Sequence, residues 1–221
     1  MKHIVVDLEM NIIRRESEAR RICTNETIEI GAVMLDDNLQ EVSSFRTYVK
    51  PEYNEEIAPK IRRLTGITDA MVANAPKFKE ALRMFTNWCL GTGDEVTVYA
   101  WSNSDFNQIS KEMILKEYET SEDEKQLLET EWTDFQQEFD GHLGFDRQLS
   151  LGMALDMAGI DFSGREHDAL DDARNTAELL HIFMDEDLFD KTLRKIEELM
   201  KPSSLENTLG NMIDLSMFAF A

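Results

Sequence analysis

Only two cysteines occur in the 221 residues, Cys23 and Cys89. They have no metal-ligand spacing, so neither a disulfide framework nor a zinc site organises this chain. They read as reduced thiols acting as small buried hydrophobes, and a cytoplasmic location is expected. Long apolar runs are also missing. The run at the N-terminus carries one cation, Lys2, and stops at Asp7, which suits neither a signal peptide nor a membrane span, and no membrane association is expected. There is no internal repeat and no low-complexity linker. Positive charge is the last scarcity: 23 Lys and Arg against 44 Asp and Glu leave a formal net charge of −21. Such a chain repels polyanions on average and lacks the broad basic footprint of long-tract nucleic-acid binders. The imbalance is local, however. Residues 117–140 hold many acids and the lone base Lys125, whereas Arg14, Arg15, Arg20 and Arg21, then Lys60, Arg62 and Arg63, form two basic clusters.

What is present is ordinary globular material, 42% hydrophobic and 30% charged, enough for one α/β domain with appendages and a substantial core. Residues 3–8, 27–35 and 41–49 are rich in β-branched residues and separated by turn signals, which predicts three strands in an antiparallel meander. Short helices are expected at 58–64 and 68–72 around Gly66. A longer amphipathic helix should follow Pro76 and end near Leu90, with Phe78, Ala81, Leu82, Phe85 and Cys89 on its apolar face. Residues 96–101 predict a further strand and 105–118 a helix. The acidic stretch 119–140 is expected as a surface helix and loop, and helices are predicted at 149–158, 168–184 and 188–200. The Lys201-Pro202 step then marks a boundary between a domain at 1–202 and a tail at 203–221. That tail is rich in Leu, Met and Phe, and is expected to dock on its own domain or on a second subunit, as a homodimer contact.

Three places in this pattern carry chemistry. Asp7 and Glu9 lie two apart at the end of an apolar strand, so their carboxylates share one face at a spacing of about 6.5–7 Å. Two desolvated like charges are costly unless compensated, and a hard divalent cation compensates them well. The plainer alternative is a strand that surfaces at Asp7. Asp105 follows the strand at 96–101 and opens a helix; it reads equally as a functional acid or as an acid complementing the helix dipole. Most specific is Arg165-Glu166-His167-Asp168-Ala169-Leu170-Asp171-Asp172. There His167 precedes a helix, Asp172 lies inside it, Asp168 suits the cap, and Asp171 points about 100° away from Asp172. His3, His142 and His181 have no such setting and read as structural.

In this order, D-x-E, a mid-chain Asp after a strand, and H-x-A-x-x-D, the chain resembles the DEDDh exonucleases, the superfamily of ribonuclease T and the proofreading subunits of DNA polymerases. The resemblance extends over residues 2–185. Glu29-Ile30-Gly31-Ala32, Phe45-Arg46-Thr47-Tyr48-Val49-Lys50-Pro51 and Leu64-Thr65-Gly66-Ile67-Thr68 look closest to the Eri-type and KapD-like branch, many of whose members trim RNA 3′ ends. Met10-Asn11 after Glu9 and the acidic stretch depart from that pattern.

The resemblance implies a ribonuclease H-like α/β fold: a mixed five-stranded sheet, antiparallel meander then parallel strands, flanked by helices. It also implies a 3′→5′ exonuclease with two divalent cations, Mg²⁺ or Mn²⁺, that releases nucleoside 5′-monophosphates from single-stranded RNA or DNA 3′ ends, RNA preferred. Asp7 would bridge the metals, Glu9 and Asp172 would complete one site, Asp105 would serve the other through a water, and His167 would be the general base. On the family pattern alone, Leu64 and Ile67 would pack on the terminal base and Met10 would lie near the sugar. Trp101 and Phe106 are candidates for base stacking, although aromatics at a strand end also serve as core. Arg14, Arg15, Lys60, Arg62 and Arg63 could meet phosphates or simply be solvated. Two other readings stand beside this one: a DNA-directed proofreading or repair exonuclease, and a catalytically silent binding module.

Overall fold

A computed structural model describes residues 1–200. Three long strands, β1 (Lys2–Ile12), β2 (Asn25–Leu35) and β3 (Glu41–Tyr48), form the expected meander. β4 (Val96–Ala100) then pairs parallel to β1, and a two-residue β5 (Thr133–Asp134) pairs parallel to β4. The order across the sheet is β3-β2-β1-β4-β5. The helices are α1 (Pro59–Thr65), α2 (Asp69–Val72), α3 (Phe78–Leu90), α4 (Ser104–Leu115), α5 (Lys125–Leu128), α6 (Phe135–Leu143), α7 (Leu151–Ala158), α8 (Ala169–Met184), α9 (Glu186–Thr192) and α10 (Arg194–Met200).

Strand alternation sorts the core into two layers. Ile4, Val6 and Leu8 of β1, with Ile30, Ala32 and Met34 of β2, face α3 and pack on Phe78, Leu82 and Phe85. Val5, Val33 and Leu35 turn the other way, toward Phe135, Phe139, Leu155, Leu179 and Leu180 of α6, α7 and α8. Asp7 and Glu9 are in phase with Val5, so they point to the α8 side. A register shift between Glu9 and Met10 breaks the β1–β2 ladder at this end, a bulge of the kind that re-aims a strand beside a site.

Gly31 fixes how close α8 comes. It pairs with Asp7 across the ladder and faces the same side. A Cβ at this position would lie 2.2 Å from the Ala169 carbonyl carbon and the Leu170 nitrogen. The first turn of α8 therefore rests on bare backbone.

Two expectations need correction. Residues 119–140 are not only a surface helix and loop: they supply β5, and Leu127, Leu128, Trp132, Phe135 and Phe139 are all buried. Acids between these apolar positions hide the core face in the sequence. Even Glu124 is buried, 2% exposed, and is paired with Arg83 at 2.5 Å. The single helix expected at 188–200 is two, α9 and α10, which break at the buried Leu193. The Asp185 side chain caps α9 by accepting from the Leu188 N–H at 3.0 Å, so that helix begins directly where α8 stops. The domain boundary at 202 and the docking of residues 203–221 lie outside the described residues. No helix among the described residues is long and apolar enough to cross a membrane.

Candidate active site

The parallel pair β1–β4 places two strand ends side by side, with Val6 in register with Ala100. Asp7 and Glu9 continue from the first, and Asp105 starts α4 just beyond the second. Ligand crevices commonly form outside the carboxyl ends of parallel strands. Here α8 closes the third side. It brings Asp172 in its first turn and His167 in the loop before it. The result is a cleft of about 610 Å³ lined by Asp7, Glu9, Asp105, His167 and Asp172 together with Met10 and Trp101.

Glu9, His167 and Asp172 each present a ligand-type atom within 4.8 Å of the other two. Burial and mutual repulsion raise every carboxyl in the group. Desolvation dominates at Asp7, followed by the charges of Asp105, Asp172 and Glu9, and its carboxyl is pushed well above the usual range. Glu9 rises to about 8 through burial first and Asp172 and Glu29 next. Asp172 rises to about 7 through burial, opposed by the His167 backbone N–H that donates to it. Asp105 is also raised by burial, against a hydrogen bond from the Leu8 backbone. Glu9, Asp105 and Asp172 are 7%, 4% and 9% exposed, and none is in an ion pair among the described residues. A set of hard oxygens, desolvated and without a cation, fits a divalent metal.

The neighbouring acid is treated differently. Glu29 lies on the same face of β2, and its Oε1 accepts from Arg46 Nε at 2.6 Å. The Arg46 Nη2 donates to Asp168 at 2.6 Å, and the Ala169 N–H donates to Glu29 Oε2 at 3.4 Å. Asp168 caps α8 as expected, accepting from the Asp171 N–H. Glu29, Arg46 and Asp168 thus tie the start of α8 to β2 and β3. Sequence reasoning gave Asp168 only the cap, and gave Glu29 and Arg46 no role. The available signal was an acid at the centre of the apolar strand 25–35, which demands a partner.

The proposed base contacts separate. Met10 and Trp101 line the cleft, while Trp101 also packs edge-on against Phe135 with ring centroids 5.7 Å apart. Phe106 turns away from the cleft to pack on Trp132 at 5.6 Å, so it serves the core. Ile67 is 1% exposed, enclosed with Ile28, Ile57 and Val72, and no surface of it is left for a base. Leu64, one turn earlier on α1, is 41% exposed. The cleft also has polar lining the sequence did not flag, notably Asn103, Asn107, Gln148 and Ser150.

A ribonuclease H-like sheet with acids converging at the ends of β1, β4 and the start of α8 defines an exonuclease-fold domain. The chain belongs to the RNase T exonuclease family, whose model matches residues 4–180, within the DEDDh class. It is similar to ERI1 exoribonuclease 2 of Mus musculus, 28% identical over 94% of this chain and 32% of that protein. It is likewise similar to 3′-5′ exoribonuclease 1 of Rattus norvegicus, 27% identical over 70% of this chain and 46% of that protein. The chain thus spans less than half the length of these curated relatives. Among solved structures it resembles the nuclease domain of 3′hExo, a DEDDh family member bound to rAMP, with TM-score 0.68 and 23% identity over 81% of this chain and 90% of that one. The family implies use of a divalent metal.

Proposed function

We propose that this chain is a 3′→5′ exonuclease that removes nucleoside 5′-monophosphates from single-stranded RNA. The observation that carries the reading is the convergence of Asp7, Glu9, Asp105 and Asp172 beside His167 with no cationic side chain among them. RNA is chosen over DNA because the relatives named above are exoribonucleases. Asp7, Glu9, Asp105 and Asp172 would hold two divalent cations, Mg²⁺ or Mn²⁺, which when bound supply an activated water and stabilise charge on the leaving 3′ oxygen.

The protein's own groups do the rest. His167 is exposed at the cleft edge, where an imidazole nitrogen can take the proton from the attacking water. The charges of both Asp105 and Asp172 act on Asp7, which would suit a ligand shared between two cations. Met10 and Trp101 give the terminal nucleotide an apolar wall, and Asn103, Asn107 and Gln148 offer neutral hydrogen bonds. The acidic chain suits short contact with an end better than a long track along a strand.

The test is digestion of 5′-labelled single-stranded RNA and DNA oligomers with Mn²⁺, with Asp172→Ala in parallel. The expected result is a descending ladder on RNA that the variant loses. A ladder on DNA alone would move the substrate to a proofreading or repair type. No cleavage of either would leave a binding module.

A further inference from the structure

Helix α8 holds more than the acid it presents to the cleft. The loop before it, residues 163–168, carries His167 at a φ of +61°, a left-handed conformation that favours glycine. Such a backbone persists only where its surroundings over-determine it. Asp172 takes the His167 N–H itself, and two further residues of α8, one helical turn apart, fasten the loop ahead of it at Ser163 and Arg165. The Asp171 Oδ2 accepts the Arg165 N–H at 2.9 Å. Gly164, at φ +88°, leaves room for that carboxylate, since a Cβ there would lie 2.3 Å from it. The Asn175 Oδ1 accepts the Ser163 N–H at 2.9 Å. Its Nδ2 donates to the Ser163 carbonyl at 2.8 Å and to the Asp171 carbonyl at 2.7 Å. Asn175 is 1% exposed, and each of its amide atoms is committed. On the far side, the Arg165 Nη2 donates to the Leu64 carbonyl at 3.2 Å.

The adjacent acids therefore divide their work: Asp172 turns into the cleft and Asp171 turns to the loop. We propose that Asn175 and Asp171 are positioning residues, which clamp residues 163–167 so that the His167 imidazole stays over the metal-binding carboxylates. This rests on the reading of His167 as the general base. The chemistry asks for an amide at 175, because the site must both accept from and donate to one backbone residue. A carboxylate there lacks the donor, and an apolar side chain lacks both.

The test compares single-turnover cleavage of labelled RNA in Mn²⁺ by the full chain and by Asn175→Ala, His167→Ala, their double variant, Asp171→Ala and Asp171→Asn. General-base catalysis is worth about 10²–10⁴-fold, and misplacing the base should forfeit part of it. Asn175→Ala is expected to lower kcat about tenfold or more, with KM and calorimetric Mn²⁺ affinity within twofold of wild type. In the His167→Ala background the same change should cost nothing further, because the residue it positions is gone. Asp171→Ala should lose a similar factor, and Asp171→Asn, whose amide oxygen still accepts the Arg165 N–H, should recover most of it. The half-buried Asp171 pair carries the test if Asn175→Ala does not fold. A wild-type rate in Asn175→Ala, or an equal loss in both backgrounds, would overturn the clamp while His167→Ala still shows the base to matter. A wild-type rate in His167→Ala would instead overturn the assignment of the base, and the clamp with it.

Discussion

Two regions of this molecule bury carboxylates, and they solve the resulting problem in opposite ways. Beneath the start of β2, Lys116 Nζ reaches Glu112 at 2.8 Å, Glu26 at 3.1 Å and Glu52 at 3.3 Å. Glu26 also accepts the backbone N–H groups of Glu52, Tyr53 and Asn54, and Glu112 accepts from Thr27 and Gln108. Every charge there has a partner. In the cleft, Asp7, Glu9, Asp105 and Asp172 are desolvated too, yet no cation among the described residues pairs with any of them, and the charges that act on Asp7 and Glu9 are those of other acids. Burial alone therefore does not distinguish a structural acid from a functional one. What distinguishes them is whether the protein provides the counter-charge or leaves that to a ligand.

The sharpest way to test this contrast is to neutralise one acid in the cleft. Glu9→Gln is expected to reduce turnover by about 10³-fold, in line with loss of transition-state charge stabilisation at a metal site. Its metal-free form should melt no lower than wild type at pH 8, because a repulsive charge has been removed. A clear drop in that melting temperature would mean that the cleft acids already have compensation. The counterpart is Lys116→Met, which leaves the buried Glu26 and Glu112 without their cation, while Glu52 keeps Lys77 at 2.9 Å. It should cost about 3–5 kcal/mol of stability in urea unfolding, while the molecules that remain folded cleave normally. If Lys116→Met were as stable as wild type, its cluster would be no more than ornament.

Protonation sharpens the contrast further. Burial opposes ionisation of Glu124, yet hydrogen bonds from Thr86, Ser121 and Tyr118 outweigh it and hold the carboxyl at about 2. A depressed value gives stability that is present above the unfolded carboxyl value of about 4.3 and is lost as pH falls toward 2. That contribution is about 3 kcal/mol by linkage. Glu124→Gln should lose most of it and flatten the acid limb of the stability curve. In the metal-free cleft the sign reverses. Glu9 and Asp172, at about 8 and about 7, hold protons that the unfolded chain has released. Their contribution declines as pH rises from about 4 to about 8. Mg²⁺ or Mn²⁺ must displace those protons, so the smallest predicted effect is a metal-induced melting shift of a few degrees that is larger at pH 8 than at pH 6 and is abolished by EDTA. A shift independent of pH would count against carboxylate ligation.

Most of the sheet was legible in the sequence because β1 and β2 are long and apolar and the strand ends were marked by turns. The acids of the cleft were legible for a different reason. Asp7, Glu9 and Asp172 interrupt apolar periodicity at places where elementary electrostatics requires an explanation, and their order matched a known pattern. What stayed hidden depends on partners distant in the chain. Arg46 reaches Glu29 and Asp168 across 17 and 122 residues, and no local pattern announces such a bond. β5 is two residues long and sits in a segment whose acids masked Trp132 and Phe135. Ile67 was expected at the terminal base on the family pattern alone, which does not tell its burial: Leu64 is exposed, but the side chain of Ile67 closes over Ile28 and Val72.

Gly31 shows that the dimensions of the cleft are set partly by an omission. A hydrogen occupies the spot where any other residue would place carbon, against main-chain atoms of Ala169 and Leu170 that no rotamer change can clear. Even alanine would act as a wedge, lifting α8 and carrying Asp172 and His167 off Asp7 and Glu9. A saturation scan for loss of cleavage should therefore show residue 31 to be as intolerant as the acids themselves. No trimming of a neighbouring side chain should restore it.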